Sequence, residues 1–138
     1  MFYSRNTDLF IFLREFNIKI EDVDWHYICV SWDNTDGSYQ LYIDGQLTGS
    51  GEGLMKAHVI QSGGVVVLGQ DQDSMGGGFD TDDAFGPGQL AEVNMWSRVL
   101  PGSEIAAQYQ DCLIPQGSVH AWSEFKDAIR GAVQVEEP

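Results

Sequence analysis

The sequence predicts an all-β fold, a sandwich of two antiparallel sheets with one short helix near residues 103–111. Three observations carry the prediction. Short runs rich in β-branched and aromatic residues recur along the chain, and Asn-Thr-Asp-Gly and Asp-Gly turn signals punctuate them. Glycine supplies 16 of the 138 residues, well above its usual share of about 7%, which favours a turn-rich fold over a helical bundle. A chain of this length buries about two thirds of its unfolded surface as one domain, so folding requires neither metal nor disulfide, and a single domain over residues 1–138 is expected.

Residues 9–13, 16–20 and 27–32 read as strands, with Phe16, Ile18 and Ile20 alternating with Asn17 and Lys19 as a half-buried strand requires. Asn34-Thr35-Asp36-Gly37 marks a tight turn. Tyr39, Leu41 and Ile43 then alternate with Gln40 and Tyr42, and Asp44-Gly45 turns the chain into residues 46–48, the strongest short-range hairpin signal available. The unbroken apolar run Val65-Val66-Val67-Leu68 predicts a strand covered on both faces. A further strand over residues 90–96 follows the breaker Gly86-Pro87-Gly88. Pro101-Gly102-Ser103 precedes a helix over residues 104–110, with Ser103 placed to cap it and Ile105, Ala106 and Tyr109 at helical spacing. Residues 118–122 and 132–135 read as closing strands, and a two-sheet sandwich accommodates both the alternating and the continuous apolar strands.

Charge removes several function classes. With 7 Lys+Arg against 21 Asp+Glu the net charge is −14, which repels phosphate backbones and anionic headgroups, so neither nucleic acid nor a membrane surface is the expected partner. No run approaches the roughly 18 apolar residues of a membrane span, and Met1-Phe2-Tyr3-Ser4-Arg5 has neither the basic nor the apolar region of a secretory signal. Cys29 and Cys112 permit one disulfide without demanding it, and their spacing is not that of a zinc site.

Five acids, Asp71, Asp73, Asp80, Asp82 and Asp83, fall within residues 71–83, with no Lys, Arg or His among them. Carboxylates so confined repel one another unless a cation offsets them. Ca²⁺ takes six to eight hard oxygens from carboxylates, amides and main-chain carbonyls, and this segment offers all three, with Gln70 and Gln72 as amides and Gly76-Gly77-Gly78 as a bend. No soft ligand lies nearby to favour zinc or copper. A merely solvated acidic loop is the competing reading, and the spacing is not that of the twelve-residue helix-loop-helix calcium site.

Catalysis is not expected. Glu92 is the one strand carboxylate in a plausible place for glycoside hydrolysis, and no second acid alternates with it, while Cys29 sits in an apolar strand that suppresses thiolate formation. Trp25, Trp32, Trp96 and Trp122 would serve as sugar platforms on a lectin, yet Trp32, Trp96 and Trp122 lie in apolar runs where core packing is the expected role. His26, His58 and His120 stand singly, without metal spacing. Met75 and Phe79 flank the glycine run, either anchoring the loop by apolar contacts, the favoured reading, or lining a pocket for a ligand's methyl groups.

The segments Trp25-His26-Tyr27-Ile28-Cys29-Val30-Ser31-Trp32, Val66-Val67-Leu68-Gly69-Gln70-Asp71-Gln72-Asp73-Ser74-Met75-Gly76-Gly77-Gly78-Phe79-Asp80, Gly88-Gln89-Leu90-Ala91-Glu92-Val93-Asn94-Met95-Trp96 and Gly117-Ser118-Val119-His120-Ala121-Trp122 closely resemble the pentraxin family, in order over about residues 25–125. The resemblance implies a jelly roll of the lectin and laminin-G type, an extracellular setting, and frequent assembly into cyclic pentamers. It also implies a loop holding two calcium ions that bind phosphocholine, phosphoethanolamine or sugars. By position, Asp71, Asp73 and Asp80 would be carboxylate ligands, Gln72 would offer its main-chain carbonyl, and Asp83 would stand where the family usually has Gln. Asn6 and Asp8 are candidates for the Asp-Asn pair that completes the first calcium shell.

Asp71 and Asp80 replace the usual Glu, shortening each carboxylate by one methylene, and Tyr27 replaces the His that opens the family's short motif. A pentraxin domain is about 200 residues long, so the resemblance implies that the N-terminal strands are missing here, together with the half-cystine that pairs with Cys29. Cys29 is then expected as a free thiol, and Cys112 to pair, as in the long pentraxins, with a cysteine beyond residue 138. The expectation is a calcium-dependent recognition module. An adhesion or protein-interaction domain of a multidomain extracellular protein, with a degenerate calcium site, is the alternative.

Overall fold

The computed structural model describes residues 22–84, 88–111 and 115–136. The strands predicted at residues 9–13 and 16–20 lie outside them. A three-stranded antiparallel sheet forms in the order β1 (Ile28–Asp33), β2 (Ser38–Ile43), β3 (Gln46–Gly51).

Both connections follow from local chemistry. In the first, Gly37 N donates to Asp33 O at 2.9 Å, Thr35 N to Asp33 Oδ1 at 2.8 Å, and Ser38 N to Asp36 Oδ1 at 2.8 Å. The Ser38 bonds hold the Asp36 carboxyl below the usual carboxylate range. Gly37 is required twice over: its φ is +73°, and a Cβ there would lie 2.6 Å from Leu54 N. Leu54 N in turn donates to Gly37 O at 2.9 Å, folding the chain after β3 back over the first turn. In the second connection Asp44 and Gly45 take φ of 51° and 75°, the mirror-image turn that matches strand twist. A bulge between Leu41 and Tyr42 shifts the β2–β3 register.

The helix α1 (Gly102–Asp111) crosses one face of this sheet. Tyr42, Leu100 and Ile105 form the core cluster, with Tyr27, Cys29 and Trp96 packed around it. Cys29 and Tyr42 are register partners, so they share the face that α1 covers. Across this contact Tyr27 Oη donates to Gln108 Oε1 at 2.9 Å. The helix begins at Gly102, two residues before the expected Glu104, and Ser103 lies inside it; the carbonyl of Pro101 accepts from Glu104 N and Ile105 N instead. Glu104 also clamps Arg98 through two bonds of 2.9 and 2.7 Å.

The later predicted strands differ. Residues 65–68 and 132–135 carry no strand, and Val65, expected to be covered on both faces, is 49% exposed. Between residues 90–96 and 118–122 the one β-bridge among the described residues is the isolated pair Met95↔His120. A strand exists only where a partner supplies the ladder, and apolar composition alone cannot supply one. At residue 122 local bonds turn the chain instead. Trp122 N donates to Asn94 Oδ1 at 3.0 Å and Ala121 N to Glu124 Oε2 at 3.3 Å, starting α2 (Trp122–Phe125), which a 3₁₀ turn (Lys126–Ala128) continues. One sheet is thus present among the described residues where the sequence predicts two.

Candidate functional site

The acidic segment forms a loop tied at its base. An antiparallel bridge pairs Gln70 with Ala84, so the chain from 71 to 83 leaves and returns at one place. Inside it, Ser74 N donates to Gly77 O at 3.2 Å and Gly77 N to Ser74 O at 3.0 Å, closing a two-residue turn at Met75-Gly76. Gly78, at φ +73°, backs onto Asp73: a Cβ there would lie 2.8 Å from the Asp73 Cβ. This close approach sets Asp73 beside the strand of loop that leads to Asp80, and no side chain larger than hydrogen fits between them.

Gln72 braces the loop. Its Nε2 donates to Val65 O at 3.0 Å and its Oε1 accepts from Gly76 N at 2.9 Å, so the side-chain amide is spent on structure and the main-chain carbonyl is the donor it would offer a cation. Asp80 caps the 3₁₀ turn Thr81–Asp83, its Oδ1 accepting from Asp82 N at 3.0 Å. Asp71 is half-buried, while Asp73, Asp80 and Asp82 are exposed; Asp83 belongs to the turn by its backbone, and its side chain is not described. Asn6 and Asp8 lie outside the described residues. Gln70 Oε1, at the tied base, is buried and accepts no hydrogen bond.

Ca²⁺ fits this donor set in kind, through hard carboxylate and carbonyl oxygens and a buried, unpartnered amide oxygen at the loop's base. Among the described residues, no three His, Cys, Asp or Glu side chains converge on one point. The loop therefore brings Asp73 and Asp80 into one short closed segment without gathering them into a shell.

Met75 and Phe79 do not anchor the loop. They are 76% and 44% exposed, leaving apolar surface beside the acids. Trp25 is exposed, Trp32 donates from Nε1 to Leu54 O at 2.8 Å, Trp96 packs on the core cluster, and Trp122 stacks tilted on Phe125 at 6.2 Å. Glu92 is exposed at φ 53° and outside any strand. Cys29 is a free thiol, and burial pushes it up to about 11, which leaves it without thiolate character at neutral pH. None of these residues forms a nucleophile–base pair.

Two features escaped the sequence. A groove of about 320 Å³ on the sheet, lined by Ser31, Ser38, Gln40, Ser50 and Glu52 among others, holds none of the predicted site residues. His26, read as one of three isolated histidines, is bonded to two carboxylates, and the only sequence signal was the four-residue spacing from Asp22.

The sequence profile described as the Pentaxin family matches residues 6–137. Over 113 residues the chain is 45% identical to neuronal pentraxin-1 of Homo sapiens, spanning 81% of this chain and 26% of that protein. Over 120 residues it is 37% identical to the Sushi, von Willebrand factor type A, EGF and pentraxin domain-containing protein 1 of Rattus norvegicus, spanning 86% of this chain and 3% of that protein. The native heptameric SAP-like pentraxin from Limulus polyphemus superimposes with a TM-score of 0.69 at 34% identity, covering 78% of this chain and 49% of that one. The chain therefore spans about a quarter of neuronal pentraxin-1 and about half of the Limulus chain. The structural likeness establishes the all-β jelly-roll class, to which the β1–β2–β3 meander and its covering helix contribute.

Proposed function

Because this chain belongs to the pentraxin family, we propose that it is a non-catalytic, calcium-dependent recognition domain of an extracellular protein, whose 71–83 loop captures phosphocholine, phosphoethanolamine or sugar hydroxyls. One observation carries the reading: five acids sit in a loop tied by the Gln70–Ala84 bridge, with the Gln72 amide locked inward and Asp73 and Asp80 exposed.

Asp71, Asp73, Asp80, Asp83 and the Gln72 carbonyl would hold the cation, with Asn6 and Asp8 as further candidates. When bound, Ca²⁺ supplies the positive charge that offsets this carboxylate repulsion and coordination positions for a ligand's phosphate or vicinal hydroxyls. The residues do the rest. Gly78 lets the loop double back on Asp73, the Ser74–Gly77 turn sets its tip, and Met75 and Phe79 present apolar surface to a ligand's methyl groups. A homo-oligomeric ring, a pentamer by family resemblance, belongs to the same reading, and the heptameric Limulus neighbour supports ring assembly without fixing its size.

The test is retention on a phosphocholine matrix with calcium and elution by EDTA. Calcium-dependent capture supports the recognition module. Equal flow-through in both conditions, with intact folding, favours a second reading: an adhesion domain with a degenerate site. That reading is favoured by the absence of a convergent carboxylate group among the described residues.

A further inference from the structure

Just before β1, His26 lies between two carboxylates. Its Nδ1 is 2.9 Å from Asp44 Oδ2 and its Nε2 is 2.9 Å from Asp22 Oδ1. A neutral imidazole has one N–H and one lone pair, so it can donate to only one of them, and the other contact would set a lone pair against a carboxylate oxygen. Only the imidazolium satisfies both.

The two arms are unequal. Asp44 is fixed by the tight turn between β2 and β3, and its Oδ1 accepts from Tyr27 N at 3.0 Å, independently of the His26 ring. Asp22 belongs to an exposed segment in which Val23 and Trp25 are 101% and 64% exposed, and the bond to Nε2 is what ties its side chain to the sheet. On losing a proton, His26 keeps Nδ1–H on the anchored Asp44, and Nε2 becomes an acceptor that repels Asp22.

We propose that His26 is a pH-operated clasp: as imidazolium it docks segment 22–25 onto the β2–β3 turn, and as neutral imidazole it stays on Asp44 and lets that segment go. The clasp changes how Val23 and Trp25 are presented where β1 begins. It is independent of the calcium loop, since none of its residues belongs to residues 70–84.

Among the described residues, the charged groups that act on His26 are Asp22 from its own segment and Asp44 from the turn. The bond to Asp44 first, and that to Asp22 second, raise its proton affinity above the ordinary value of 6.5. The same contact, as first cause, holds the Asp22 carboxyl below its ordinary 3.8. The raised histidine contributes its full docking below 6.5 and loses it as pH rises through the raised value. The depressed Asp22 contributes above 3.8 and loses its share as pH falls through the lowered value. Segment 22–25 is thus docked at mildly acidic pH and released on the alkaline side.

The test follows the His26 ring carbon by NMR across the titration of the full chain, with backbone relaxation of residues 22–25 at about pH 5.5 and about pH 9. The expected midpoint lies above 6.5, with the segment ordered at the lower pH and mobile at the higher. Asp22→Ala, a change at an exposed residue that leaves His26 Nε2 with neither a donor nor an acceptor to bind, moves the midpoint down toward 6.5 and frees the segment at both pH values. His26→Gln abolishes the pH dependence. A midpoint at or below 6.5, or equal mobility of residues 22–25 at both pH values in the unmodified chain, overturns the clasp.

Discussion

Asp73→Asn and Asp80→Asn each weaken calcium binding more than about 100-fold, beyond the 10–100-fold cost usual for changing a residue that only supports a metal ligand. Each change keeps the side chain's shape and removes one anionic ligand, and calcium affinity falls with the count of charged oxygens. Both residues are exposed, and Asp73 sits against Gly78 through its Cβ, which Asn retains. The fold is therefore expected to survive both substitutions, whereas Asp80→Asn keeps an oxygen to accept from Asp82 N and so keeps the cap. Isothermal titration of each variant beside the unmodified chain makes the comparison. Variants that bind calcium as the unmodified chain does would remove these two residues from the site.

How much of this was legible in the sequence depends on the range of the interaction. The Asp44-Gly45 hairpin and the helix beginning near Pro101 are specified by neighbours in the chain, and both form. The acidic loop is legible for the same reason, since its five carboxylates are local in sequence. Residues 65–68 illustrate the limit: a valine run states that a segment is apolar, but only a partner strand elsewhere makes it a strand. At 118–122 the reading failed because Asn94, 28 residues before Trp122, takes the amide that a ladder would have used. Met75 and Phe79 looked like loop anchors, yet the bridge at Gln70–Ala84 and the Gln72 bonds hold the loop without them. His26 was obscured in the same way, because Asp44 lies 18 residues away and meets it only once the hairpin has formed.

Ile105→Ala is the substitution with the largest expected effect on stability. The side chain is fully buried and belongs to the cluster with Tyr42 and Leu100 that joins α1 to the sheet. Removing it costs about 2–5 kcal/mol, through lost transfer free energy and the cavity left behind. Against a domain stability of about 5–15 kcal/mol, that is a large share. Ile105→Val removes one methylene and costs about 0.5–1.5 kcal/mol. Val135→Ala, at a residue 63% exposed, stays within about 0.5 kcal/mol and serves as the control. Urea denaturation of the three variants gives the ranking, and an Ile105→Ala loss below about 1 kcal/mol would contradict the packing of α1 on β2.

The central claim, that the 71–83 loop is a calcium site, is met most directly by a calorimetric Ca²⁺ titration of the unmodified chain with the melting temperature followed with and without EDTA. The account predicts one or two sites of micromolar to millimolar affinity and a melting temperature that rises with calcium, the stabilisation reaching about 2.7 kcal/mol when calcium is at 100 times the dissociation constant. No heat of binding and an unchanged melting temperature would contradict it, and would leave the acids of residues 71–83 as a solvated loop on an adhesion domain.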